Sequence, residues 1–154
     1  MITAPFTLAP LVVLGLLLVT AALKDLRTRS IDNWVSIAMA LAAPVWWVAS
    51  GWTPVQMAWQ AGYAALAFAI LFGLWTVRVC GGADVKLIGA LALWLPAGER
   101  MSTFFVMAMA GGVVAVFAAV TAFTKRRRSG SRIEVPYAVA IAAGGAFFLI
   151  RTLN

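Results

Sequence analysis

Long apolar runs separated by short polar links make up almost the whole chain. The runs cover about 8–23, 34–50, 55–79, 85–95, 103–124 and 135–153. A helix needs ~20 apolar residues, within a range of roughly 17–25, to cross the hydrocarbon of a bilayer. Five runs meet that length once interfacial residues are included. The fourth is short, and reaches bilayer length only with 81–84 and 96–98 added, so its ends require protected or watery surroundings. The pattern predicts an all-α integral membrane protein, a bundle of about six transmembrane helices forming one domain over 1–154. The first run resembles a secretory signal in length, but its positive charges follow it rather than precede it, which predicts a retained first span.

Charge then orients the spans. Lys24, Arg27 and Arg29 follow the first run, Arg78 and Lys86 flank the link between the third and fourth, and Lys125, Arg126, Arg127, Arg128 and Arg132 lie between the fifth and sixth. If six spans alternate, these ten of the twelve basic residues fall on one side, leaving Arg100 and Arg151 on the other. The positive-inside rule predicts that the basic side is cytoplasmic and that both termini lie outside. Trp46, Trp47, Trp52 and Trp94 lie near run ends and read as residues of the interfacial aromatic belt. Gly111, Gly112, Gly144 and Gly145 predict close helix packing.

Composition narrows the chemistry. Of 154 residues, 64% are hydrophobic and 11% charged, which excludes an ordinary soluble domain. The net charge of +7 is gathered in links between apolar runs. That placement suits topology control and anionic lipid, and predicts no nucleic-acid partner. The single cysteine, Cys80, excludes an internal disulfide, and the chain has no histidine. No metal and no cofactor is expected.

Five carboxylates remain: Asp25, Asp32, Asp84, Glu99 and Glu134. Asp25 lies where the first span leaves the membrane on the basic side, and Asp84 where the fourth enters it from that side. Helices one and four could bring them together; Glu99 lies on the opposite side. A carboxylate at a membrane edge is costly and usually marks function. Two close carboxylates do not readily both ionise, so one holds a proton while the other can take one from water. That is the aspartic protease arrangement, and it needs neither metal, cysteine nor histidine. The plainer alternative pairs Asp25 and Asp84 with Lys24, Arg27 or Lys86 as boundary salt bridges.

The residues also carry a resemblance. DLRTRSIDN (25–33) resembles the bacterial prepilin peptidase segment that reads Asp, basic residues, then Ile-Pro-Asn. GGADVKLIGALALW (81–94) is similar to that family's Gly-x-Gly-Asp motif, followed by Val-Lys-Leu and a small-residue helix. VPYAVAIAAGG (135–145) resembles its last span. Together these cover roughly 11–150. The resemblance implies a membrane aspartic endopeptidase that removes the basic leader of type IV prepilins after a glycine on the cytoplasmic side of the bacterial inner membrane. It assigns catalysis to Asp25 and Asp84, with Gly81, Gly82, Ala83, Lys86 and Asn33 supporting the motifs. It implies a prepilin or pseudopilin as partner, and the short peptidase-only form of Flp, or tight-adherence, pili, without methyltransferase activity.

Two positions depart from the family pattern. Ala83 stands where the second motif glycine is usual, which restricts positive φ. Asp32 replaces the proline after Ile31, and is expected to cap the second helix near Trp34. Two other classes remain open: a transporter or proton channel, which calls for carboxylates at mid-span, and a non-catalytic subunit of a secretion machine.

Overall fold

The structure, a computed structural model, describes residues 5–28, 31–78, 80–125 and 137–154. Six helices follow one another: α1 (Pro5–Thr28), α2 (Asn33–Ala49), α3 (Pro54–Thr76), α4 (Gly82–Ala92), α5 (Arg100–Lys125) and α6 (Tyr137–Leu153). No strand occurs among the described residues. Helices over Phe6–Thr28, Pro54–Thr76 and Arg100–Val120 are long and apolar enough to cross a membrane; α2 and α6 are apolar but shorter. The link at 126–136, with Glu134 and the proline of the 135–145 motif, lies outside the described residues, as do Arg29 and Val79.

Helix boundaries follow local chemistry. Thr53 and Gln56 form a reciprocal capping box at the start of α3, with a proline at the first helical position. Gly51 takes φ +71° in the turn before it, a conformation that suits glycine. Where helices pack, small residues let them approach. A Cβ on Gly145 of α6 would lie 2.4 Å from Leu18 Cδ1 of α1, and one on Gly144 would lie 2.2 Å from Met107 Cγ of α5. α6 is thereby seated between α1 and α5. Gly112 meets nothing within 4 Å, so the packing expected there is absent among the described residues.

α4 is the exception in length. Its 11 residues rise only ~17 Å, against a hydrocarbon thickness of ~30 Å. The helix begins inside the 81–84 segment as the fourth span requires, but stops at Ala92 rather than continuing through 96–98. It packs on α2, α3 and α6. Val85, Leu87, Gly89, Ala90, Leu91 and Ala92 are all buried.

A helix that ends inside a bundle leaves backbone carbonyls that must find donors. Gln60 of α3, 2% exposed, supplies them. Its Nε2 donates to the carbonyls of Ala92 (2.7 Å) and Leu95 (2.9 Å). Trp47 Nε1 of α2 donates to Leu93 O at 3.0 Å. Arg100 completes the cluster. Its Nε donates to Leu95 O, its Nη2 donates to Gln60 Oε1 at 2.6 Å, and its guanidinium lies over the Tyr63 ring.

The tryptophans are placed differently from an interfacial belt. Trp46, Trp47 and Trp94 are buried in the core. Trp46 stacks on Trp94, tilts against Trp52 and meets Phe148 edge-on. Because α4 ends early, these rings fill the space beyond its last turn. Trp94 Nε1 donates to the Met39 carbonyl at 3.0 Å, which seats the post-helical turn against α2.

Candidate active site

The end of the bundle that carries Lys24, Arg27, Arg78 and Lys86 also holds Asp25 and Asp84. Asp25 sits in the last turn of α1 and is buried. Its Oδ2 accepts a hydrogen bond of 3.0 Å from the backbone N–H of Ala138, in the first turn of α6. The first N–H groups of a helix have no intrahelical acceptor and favour negative charge. A buried carboxylate therefore meets a donor with nothing else to bond.

Asp84 occupies the third position of α4, with Gly81 as N-cap, so its negative charge also lies at a helix N-terminus. Its carboxylate turns back toward the backbone N–H of Gly81, as an acidic side chain at this position does in a capping box. This explains the glycine. A Cβ on residue 81 would lie 2.9 Å from Asp84 Oδ2, closer than such contacts tolerate. Gly82 is next to Trp75, whose Nε1 would be 3.1 Å from an added Cβ. Ala83 lies within the helix, and φ is positive among the described non-glycine residues only at Arg78. The turn makes no demand for glycine at 83, so alanine fits there.

The two carboxylates are close enough for the charge of Asp25 to act on Asp84. They are not brought together by direct packing of α1 on α4. α1 packs on α2 and α6, and α4 packs on the same two helices from its own side. Neither carboxylate is spent on a salt bridge with a described residue, contrary to the boundary-pair alternative. Lys24 pairs instead with Asp32, and Lys86 Nζ donates to Asn33 Oδ1 of α2 at 2.8 Å. That bond joins the two motif segments directly, Asn33 from the first and Lys86 from the second.

Asp32 stands at the N-cap position of α2, but its side chain caps no backbone N–H. The Lys24 ammonium and the Trp34 indole, which donates at 3.1 Å, take the carboxylate and hold it below the usual carboxylate range. A full positive charge within reach outcompetes a neutral N–H. Glu99 lies at the far end of the bundle, paired with Arg151.

A sequence model of the type IV leader peptidase family matches residues 12–116. The chain belongs to the type IV leader peptidase family. Its general activity is accordingly the proteolysis of a leader peptide. The matched region contains both aspartates, Asn33, Lys86 and the Gln60 clamp, while α6, which supplies the N–H to Asp25, lies beyond it. No match was found among curated proteins or among solved structures.

Gln60 and Ala138 are the residues of this region that sequence reasoning missed. Gln60 had a signal: it is an amide in the middle of an apolar run. Ala138 had none, because a backbone N–H contributes through its place in the helix and not through its side chain.

Proposed function

We propose that the chain is an aspartic endopeptidase that cuts the leader from Flp-type prepilins on the cytoplasmic side of the bacterial inner membrane. The observation that carries the proposal is the pair Asp25 and Asp84. They lie at one end of the bundle, Asp25 buried in the last turn of α1 and Asp84 in the first turn of α4, and neither is neutralised by a cation among the described residues.

In the proposed reaction the pair carries one proton, which belongs to both carboxylates rather than to either. The charged carboxylate takes a proton from water as the water oxygen bonds to the carbonyl carbon of the leader glycine. The protonated carboxyl gives its proton to the carbonyl oxygen. In the collapse of the tetrahedral intermediate one hydroxyl returns its proton to the pair as the C=O re-forms and the C–N bond breaks, and the departing amine takes the proton drawn from water. The product amine is unmethylated, since two carboxylates supply no chemistry for methyl transfer. Lys86 and Asn33 tie α4 to α2 beside the site, and Gly81 leaves room for the Asp84 carboxylate.

Incubating the purified protein with an Flp-type prepilin tests the proposal. A loss of mass equal to the leader, with a free amine on the new N-terminus, is expected. Unchanged prepilin would overturn it.

A further inference from the structure

α2 and α3 both pack on α4, and between them the three helices leave an open trough of about 550 Å³. On α4 it is lined by Lys86, Gly89, Ala90 and Leu93, the i, i+3, i+4, i+7 spacing of one helix face. Stripes from Asn33 to Ala40 on α2 and from Ala61 to Phe68 on α3 repeat that spacing, so the trough runs straight along the helices. Each stripe rises ~10 Å, or about two turns. Asn33 is the first residue of α2, which puts one end of the trough at the basic edge of the bundle. The hydrocarbon of a bilayer is ~30 Å thick, so a trough of this length lies within one leaflet. Neither Asp25 nor Asp84 lines it.

The surface exposed in the trough is almost wholly apolar except at the basic edge, where Lys86 and Asn33 stand. Lys86 is exposed. Its Nζ donates to Asn33 Oδ1, a neutral acceptor, and it forms no salt bridge among the described residues. An ammonium has three donors, so two remain for another partner. The exposed Arg27 and Arg78 carry further positive charge to this edge, in a chain of net charge +7. A cationic edge on an apolar slot between membrane helices matches an anionic headgroup with a hydrocarbon tail. A zwitterionic headgroup brings its own cation and complements Lys86 less well. A protein helix is a poorer match in length, because the trough seats only about two turns of the ~20 residues that a spanning helix requires.

We propose that the trough between α2, α3 and α4 binds an anionic phospholipid of the adjoining leaflet. One acyl chain lies between α2 and α3, and the headgroup phosphate sits on Lys86. The lipid supplies the packing that α2 and α3 do not supply to one another, and gives Lys86 the negative partner it lacks. The proposal does not depend on the peptidase reading.

Photocrosslinking in lipid nanodiscs tests this on the full-length protein. Phosphatidylcholine discs carry a trace of phosphatidylglycerol, or of phosphatidylcholine, with a photoreactive group in the acyl chain, and labelled peptides are mapped by mass spectrometry. Labelling of the segments around Ile37 and Ala65 should be about fivefold stronger with the anionic probe, the order expected from one lysine beside an anionic headgroup. Lys86→Met should remove that preference and Lys86→Arg should keep it. Ala61→Leu and Ala65→Leu, which fill the trough from exposed positions, should lower labelling there by both probes. Val113→Leu, on the exposed face of α5, should change nothing. Equal labelling by the two probes in wild-type protein would mean bulk lipid only and would overturn the proposal. So would a preference that survives Lys86→Met, or protection of these segments from both probes by a second copy of the chain or another membrane helix. Loss of the preference in Lys86→Arg as well as in Lys86→Met would also contradict it, since the phosphate would then not be held by charge.

Discussion

The carboxylate of Asp25, at the end of α1, accepts a 3.0 Å hydrogen bond from the backbone N–H of Ala138 at the start of α6. α6 therefore holds one member of the proposed catalytic pair although it contributes no acidic side chain. An amide oxygen can still accept that bond and a methyl group cannot. Asp25→Ala should lower stability by about 1–3 kcal/mol through the orphaned buried donor, while Asp25→Asn should unfold close to wild type. Thermal unfolding in detergent measures the difference, and equal losses in both variants would contradict this role for Asp25.

The 2.9 Å approach that a Cβ on residue 81 would make to Asp84 Oδ2 separates the two sides of the motif. Gly81→Ala should displace the Asp84 carboxylate and lower the cleavage rate by tenfold or more, since a misplacement of ~1 Å can cost ~10²-fold. Ala83→Gly, which restores the usual family residue, should leave the rate within a few-fold. It should reduce stability by roughly 0.5–1 kcal/mol, the cost of glycine inside a helix. Steady-state rates of prepilin cleavage for the two variants check both outcomes. A larger loss at 83 than at 81 would contradict the geometry.

Gln60 serves the site from the far end of α4. Its amide donates to the carbonyls of Ala92 and Leu95 and accepts from Arg100, so it ties down the end of the short helix. Gln60→Leu keeps the bulk and removes these partners, at roughly 1–3 kcal/mol for each buried group left unpaired. A marked fall in unfolding temperature is expected. Unchanged stability would mean that the carbonyls of α4 are satisfied in some other way.

Helix positions were legible from hydropathy, because each run long enough to form a helix is bounded by polar, glycine or proline residues. The shared side of Asp25 and Asp84 followed from counting alternating helices. What lay hidden is which way each helix faces. A helix that is apolar all round gives no stripe to orient it, so Trp46, Trp47 and Trp94 read as belt residues although they are buried. The early end of α4 was concealed for a related reason, since residues 93–95 are as apolar as the helix before them. Asp32 has the residue type and position of a helix cap, and only the approach of Lys24 across the turn shows why it does not act as one.

Orientation in the membrane is a separate expectation, based on the distribution of basic residues. With Cys80 removed, cysteine introduced at Gly51 or at Glu99 should react with an impermeant thiol reagent added outside the cell. Cysteine at Ser129, between α5 and α6 in sequence, should not. Labelling of the Ser129 position from outside would invert the topology and with it the proposed cytoplasmic site.

The central claim is that Asp25 and Asp84 act together as one hydrolytic unit. Asparagine keeps the shape of aspartate but supplies neither a general base nor a shared proton. General acid–base steps alone are worth ~10²–10⁴-fold, and groups that act as a unit are non-additive. Asp32→Asn and Glu99→Gln, whose carboxylates pair with Lys24 and Arg151, should retain most activity. The most direct measurement is the prepilin cleavage rate of folded, membrane-inserted Asp84→Asn beside Asp25→Asn and the double variant. The account predicts no detectable cleavage in any of the three; cleavage by Asp84→Asn at near the wild-type rate would contradict it.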